Sequence, residues 1–308
     1  MRAIAALAIG GPIVATAALC AGSTGWHAPW QLTGVLVELR GPRVVLAGLV
    51  GASLAVAGAA MQTLLRNDLA DPYVLGLSGG ASAGAVTSLA LRPAMAPGPA
   101  AAIGAATAAL LVRALARGPH DPVRLLLAGV AVSSILASAT GLVLTLAPAA
   151  QLLRSTSAWL YGGLGTPRWT ELALPAIALG LALVWLGINA ARLDRLTLGD
   201  DVATSLGVEV ARVRRGAVAI AVVLTALAVA ASGLVGFVGL IAPHAARRLG
   251  GAAHRRLIAL AALIGAILVM AADAIARTAF APREVPVGLV TAALGGPFFL
   301  WQLQRAPR

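Results

Sequence analysis

Long apolar runs recur along the chain, separated by short segments that hold most of its arginine and proline. A helix needs roughly 20 apolar residues to cross bilayer hydrocarbon, fewer inside a bundle. On that ruler the pattern predicts ten spans, near residues 3–22, 44–65, 72–91, 99–116, 124–146, 171–190, 214–231, 235–249, 257–277 and 286–303. The eighth is the shortest. Between the second and third, the run VVLAGLVGASLAVAGAAMQTLL ends in the polar, proline-bearing turn RNDLADP before a glycine-rich apolar stretch. Backbone that leaves a helix near a membrane must find water or protein partners, so such a turn marks a surface or a pathway.

Arginine sets the orientation, because short positively charged loops stay cytoplasmic. With the N-terminus inside, Arg2, Arg66, Arg113, Arg117, Arg124, Arg192, Arg195, Arg212, Arg214, Arg215, Arg247, Arg248, Arg255, Arg256, Arg305 and Arg308 fall inside. Only Arg40, Arg43, Arg92, Arg154, Arg168, Arg277 and Arg283 fall outside, which favours both termini in the cytoplasm. Trp26, Trp30, Trp159, Tyr161 and Trp169 lie in or beside external segments, as interfacial rings should.

Composition agrees: 59% hydrophobic and 11% charged residues, with mean hydropathy +0.91, describe a polytopic membrane protein. The net charge of +12 comes from basic residues scattered singly or in pairs, not from a basic face interleaved with aromatics, which argues against nucleic acid as a partner. The single cysteine, Cys20, excludes an internal disulfide and a cysteine metal cluster. Arg2, the apolar run and AALC mimic a lipoprotein signal, but Leu19 directly before Cys20 argues for a retained first helix. Residues 1–308 are expected to form one transmembrane domain.

The longest cytoplasmic connection, ARLDRLTLGDDVATSLGVEVARVRR over residues 191–215, is too polar to span. Thr197 or Asp200 can cap a short helix there, the acids of DDVATSL suit a helix N-terminus, and Gly207 suits a left-handed stop. Two short helices along the membrane surface are expected. They either tie the sixth and seventh spans together or form a docking surface for a cytoplasmic partner.

Seven ordered segments resemble one family. They are LRGPR (39–43), GAAMQTLLRNDLADPYVLGLSGGA (58–81), RLLLAGVAVS (124–133), LTLGDDVATSLGV (196–208), GLVGFVGLIAPHAAR (233–247), AADAIAR (271–277) and EVPVGLVTAALGGPFFLWQL (284–303). The chain resembles, over nearly its whole length, the permease subunits of ATP-binding-cassette importers for iron-siderophores, haem and cobalamin, often called the FecCD family. The resemblance implies the type II importer permease fold in the bacterial inner membrane. It also implies a second permease subunit, two ATPase subunits inside and an external substrate-binding protein.

By the same resemblance, Leu198, Gly199, Asp200, Asp201, Ala203, Leu206 and Gly207 match the coupling segment that sits in a cleft of the ATPase, with Ala203 and Gly207 at its small positions. Asn67 and Leu69 match the cytoplasmic gate loop; Asp68 stands where many relatives have proline. Pro122 and Val123, where a second gate region would fall, match nothing expected of it. Arg40, Arg43 and Arg277 resemble arginines that meet glutamates of the binding protein. No GxxxxGK[ST] phosphate loop occurs, so ATP and Mg belong to the partner ATPase and this chain carries no cofactor and no catalysis. Ferric siderophore is the expected cargo, with haem or cobalamin the alternative.

Other readings rest on single residues. Asp273, one helical turn before Arg277, reads as half of an ion pair; the other reading, a proton-coupling carboxylate, would make the protein an ion-gradient-driven secondary transporter. His244 could be imagined as a metal or haem ligand, but His27, His120 and His254 share no helical face with it. No nucleophile, base and oxyanion donor assemble, and no pore loop or ring of like charges suggests a channel.

Overall fold

A computed structural model describes residues 2–22, 25–31, 33–92, 95–116, 122–146 and 150–305; Arg117, His120 and Arg308, named above, lie outside them. Among the described residues every regular element is a helix. In chain order these are α1 (Arg2–Cys20), α2 (Gly34–Leu65), α3 (Leu77–Leu91), α4 (Gly98–Leu115), α5 (Pro122–Leu146), α6 (Ala150–Leu160) and α7 (Ala173–Ile188). There follow α8 (Ala190–Leu196), α9 (Asp200–Ser205), α10 (Val210–Ser232), α11 (Val238–Gly250), α12 (His254–Thr278) and α13 (Val287–Arg305).

Each predicted span coincides with a helix, yet not all are equal. Among the described residues six helical stretches, in α2, α4, α5, α7, α10 and α12, are long and apolar enough to cross a membrane. Shorter apolar stretches in α1, α3 and α13, and the 13-residue α11, supply the rest. α3 and α11 are short because the chain breaks inside the body just before each of them. Residues 66–76 and 233–237 are largely non-helical, with Gly76 (φ 77°) and Gly233 (φ 65°) at positive φ. Apart from the exposed Arg66, Asn67 and Asp68 at the cytoplasmic end, these breaks are largely covered by protein, as bilayer chemistry demands. Tyr73 donates its hydroxyl to the Val235 carbonyl at 3.3 Å, and Gly163 N donates to the Ser232 carbonyl at 2.8 Å.

α2 is the central post. One side, with Val56, Met61 and Leu64, joins the core built with α3, α4, α7 and α10; the other, with Val44, Val50 and Leu54, joins the core built with α11 and α12. Small residues make this possible, because helices in lipid associate by close backbone approach. A methyl at Gly51 would overlap the Gly265 carbonyl, and one at Gly58 would overlap the Gly239 main chain. Large apolar side chains on α4, α5 and α7, such as Ile103, Leu127, Ile135, Leu174 and Leu181, point away from the body.

Three boundaries differ from expectation. α2 begins at Gly34, so LRGPR lies inside a helix rather than before one; the apolar ruler cannot count Arg40 and Arg43, whose charges are matched only in the folded protein. α3 begins at Leu77, because Asp71 accepts the Tyr73 N–H at 2.9 Å and starts a separate turn over Pro72–Leu75. α6 lies in the expected external segment before α7 and was not foreseen.

Candidate coupling and gate site

The 190–209 segment folds as a pair of short helices. Asn189 breaks α7, donating to the Trp185 carbonyl at 2.9 Å and accepting from Arg192 at 2.7 Å, and α8 starts at once. Gly199 (φ 114°) turns the chain into α9, and Gly207 (φ 79°) turns it out, with Val208 N reaching the Ala203 carbonyl at 3.0 Å. The left-handed stop at Gly207 is therefore present. The expected caps are not: Gly199 occupies the N-cap of α9 with no side-chain bond, and Thr197 donates its hydroxyl back to the Asp194 carbonyl at 2.7 Å. A flexible glycine provides the turn that a capping oxygen would otherwise favour.

Burial sorts the segment into two sides. Leu193, Leu196, Ala203 and Val208 are buried and anchor the pair to the membrane body. Leu198, Val202 and Leu206 are exposed at 61%, 44% and 49%, beside exposed Asp201 and Gly207. Ala203, matched above to a small contact position, is 0% exposed and faces its own subunit, whereas Gly207, the other small position, is exposed. At Gly207 an added Cβ meets nothing within 4 Å.

Asp200 ties this segment inward. Its Oδ1 accepts from Arg66 Nη2 at the end of α2 and from Arg214 Nη2 of α10, the latter at 3.0 Å. Partial burial pushes the Asp200 carboxyl upward, but the hydrogen bond and charge of Arg214, then the charge and bond of Arg66, outweigh it and hold the group below the usual carboxylate range. Arg66 also donates Nε to the Leu196 carbonyl at 3.2 Å. A second link runs through His254 at the start of α12. Its Nδ1 lies 2.6 Å from Asp194 Oδ1, and its Nε2 lies 2.6 Å from the hydroxyl of Thr63 on α2. A carboxylate accepts only, so Nδ1 is the donor to Asp194.

The loop holding Asn67 and Leu69 follows directly. Arg66, in the left-handed region at φ 48°, closes α2, and the exposed Asn67 accepts the Leu69 N–H on its side-chain oxygen at 2.9 Å. Asp68 pairs with Arg247 of α11 at 3.3 Å; Arg247 donates to Gln62 Oε1 at 2.7 Å, and Gln62 Nε2 donates to the Gly239 carbonyl at 3.2 Å. The Asp68 carboxylate thus fastens the loop to α11.

At the opposite, outer end the structure brings Arg40, Arg43 and Arg277 together, though not as free rim cations. Arg40 is 8% exposed and donates to the Leu19 and Cys20 carbonyls; Arg277 is 2% exposed and donates to Ala21 and Ala18 at 2.7 and 2.9 Å. Arg43 bridges Asp273 at 3.0 Å and the more exposed Glu284 at 2.8 Å. Arg277 Nε lies 2.9 Å from Asp273 Oδ2 but directs its hydrogen bond to the Asp273 main-chain oxygen at 3.4 Å, so Oδ2 receives charge without an aligned bond. The expected Asp273–Arg277 ion pair is there, enlarged by Arg43. His244 sits by α13, bonded to Gln302 at 2.9 Å and edge-on to Phe298.

Sequence reasoning missed Thr63, Arg66, Asp194, His254 and Arg247. The available signal was polarity in the wrong place: Gln62 and Thr63 interrupt an apolar run one turn before its end.

The model of the FecCD transport family matches residues 4–305. The chain is 40% identical over 287 residues to the Fe(3+) dicitrate transport system permease protein FecD of Escherichia coli, covering 92% of this chain and 89% of that one. It is 43% identical over 289 residues to the hemin transport system permease protein HmuU of Yersinia pestis, covering 91% and 84%. With the cobalamin import system permease protein BtuC of Halobacterium salinarum it shares 40% over 276 residues, covering 88% and 73%. A solved ABC transporter in an inward-facing conformation superposes with a TM-score of 0.89 at 27% identity over 99% of both chains. PsaBC from Streptococcus pneumoniae shares the fold, with a TM-score of 0.62 at 17% identity over 90% of this chain and 94% of that one. The chain belongs to the FecCD transport family, the permease subunits of ABC importers.

Proposed function

We propose that this chain pairs with a second permease subunit around a central pathway in the bacterial inner membrane and imports ferric siderophore. Two ATPase subunits dock on α8–α9 from the cytoplasm and hold the ATP and Mg; the permease itself catalyses nothing. The observation that carries this is the apolar patch of Leu198, Val202 and Leu206 on an otherwise polar cytoplasmic segment, a patch whose exposure calls for a partner. Its rigid seating on Leu193, Leu196 and Ala203 suits it to pass on movement of an ATPase that closes on nucleotide.

An external binding protein delivers the cargo. Arg43 and Glu284 form the more exposed edge of the outer charge cluster and are its proposed contact, while Arg40 and Arg277 fix the helix ends behind them. Haem or cobalamin is the alternative cargo, since relatives named for hemin and cobalamin match about as well as the one named for iron dicitrate. The test is uptake by the subunit reconstituted in vesicles with its ATPase and binding protein, across ferric siderophores, haem and cobalamin. ATP-dependent uptake of ferric siderophore alone is the expected result. Uptake of haem or cobalamin alone reassigns the cargo, and uphill uptake with no ATPase present overturns the proposal in favour of a secondary transporter.

A further inference from the structure

The coupling segment connects α7 and α10 in sequence, so those two helices are the obvious recipients of any force applied to it. One hydrogen bond, from Arg214 to Asp200, does lead to α10, but two others lead elsewhere. Both short helices reach past their neighbours to the last turn of α2: α8 through Asp194, His254 and Thr63, and α9 through Asp200 and Arg66. Thr63 and Arg66 lie three residues apart on α2, and the gate loop begins with the next residue, Asn67.

We propose that these two polar struts make the end of α2 the element through which the ATPase moves the gate loop, with Thr63, Arg66 and His254 as positioning residues. The proposal rests on reading α8–α9 as the ATPase dock.

Four features support it. The Thr63–His254 contact is buried, at 5% and 3% exposure, so water cannot take over either partner's bond without opening the helix packing. His254 is bound to Asp194 twice, by Nδ1 and by its main-chain N–H at 3.0 Å, so the carboxylate holds the first residue of α12 as well as the ring. The outer strut pairs a guanidinium with a carboxylate, the stronger class of hydrogen bond. Finally, Arg66 holds a left-handed conformation that an arginine does not favour, while its side chain is fixed by both Asp200 and the Leu196 carbonyl. Where Arg66 goes, the loop after it must follow. On the far side, Asp68 and Gln62 are held to α11 by Arg247, so a shift of α8–α9 pulls the loop against a fixed point.

The test uses the reconstituted permease–ATPase–binding-protein assembly, with three readouts: co-purification of the ATPase, the rate of ATP hydrolysis, and uptake per ATP. The variants are Thr63→Val, which keeps shape and removes the hydroxyl, and Arg66→Met, singly and together, with Thr63→Ser and Arg66→Lys as conservative rescues. The double variant should still bind the ATPase and hydrolyse ATP, while uptake per ATP falls about tenfold, a usual size for coupling between sites. Thr63→Ser and Arg66→Lys should recover most of it. Arg66→Met alone, at a half-exposed helix end, carries the test if the double variant does not fold, and should lose uptake per ATP severalfold. Unchanged uptake per ATP in folded variants lacking a strut overturns the proposal. Failure of the parent permease to bind the ATPase is a different result, which overturns the docking assignment itself.

Discussion

Replacing Asp273 with alanine should cripple the fold of the outer end. The carboxylate is 1% exposed and lies within 3.1 Å of three arginine nitrogens: Arg43 Nε and Nη2 on one oxygen, Arg277 Nε on the other. Its removal leaves Arg277, itself 2% exposed, hydrogen-bonded only to main-chain carbonyls, with the positive charges of Arg43 and Arg40 bearing on it and the Glu284 carboxylate as the remaining offsetting charge. Breaking a buried pair by deleting one partner costs about 3–5 kcal/mol, because the surviving charge is left uncompensated. The Glu284 side chain, 41% exposed, touches the same cluster from outside, and an exposed pair is worth at most about 1 kcal/mol. Denaturant unfolding of the purified permease in nanodiscs should therefore separate Asp273→Ala from Glu284→Gln by a wide margin. Asp273→Leu combined with Arg277→Leu should recover part of the loss, since both charges go together. A loss under about 1 kcal/mol for Asp273→Ala would show that the charge cluster does not hold α2 to α12, and would reopen the proton-coupling role for this carboxylate.

Other outcomes follow from the same geometry. Gly207→Trp should fold, since nothing lies within 4 Å of an added Cβ and the positive φ of 79° costs a side chain only about 1–2 kcal/mol. ATP hydrolysis should nevertheless lose its dependence on loaded binding protein; retained dependence in vesicles counts against Gly207 as the close-approach position. Gly51→Ala should destabilise by about 1–3 kcal/mol through its overlap with the Gly265 carbonyl, whereas Gly180→Ala, with open space, should not; thermal scans of monodisperse protein compare them. For Asp200 the folded carboxyl value is depressed, so its stabilisation is complete above the unfolded value and fades only as pH falls through the lowered one. Hydrogen exchange over residues 197–207, corrected for intrinsic rates, should thus be flat between about pH 5 and 8, above the ordinary carboxylate range. A change in protection within that window would contradict the pairing.

The outer charge cluster shows why residue type alone misleads. Arg40 and Arg277 look like interfacial cations in a sequence because arginine at a span end usually reaches water. Here main-chain carbonyls of α1 and of the turn after it receive both guanidinium groups, and nothing in LRGPR or AADAIAR announces that. Ala203 misleads in the opposite sense: a small residue fits a tight contact with a partner or with its own subunit equally well, and only burial says which.

What the sequence determined by itself is the class, the approximate position of the apolar helices, and the family. The bilayer leaves an isolated span little choice but a helix of set length, so composition and local run length suffice, and ordered motifs extend over nearly the whole chain. The tertiary structure decided which polar groups meet. Thr63 and His254 are 191 residues apart, Arg66 and Asp200 are 134 apart, and Arg43 and Asp273 are 230 apart. Their pairing depends on how α2 is rotated and how closely α10, α11 and α12 approach it. Glycine-to-carbonyl contacts set the approach of α11 and α12, and apolar periodicity along one helix carries no record of where another helix lies.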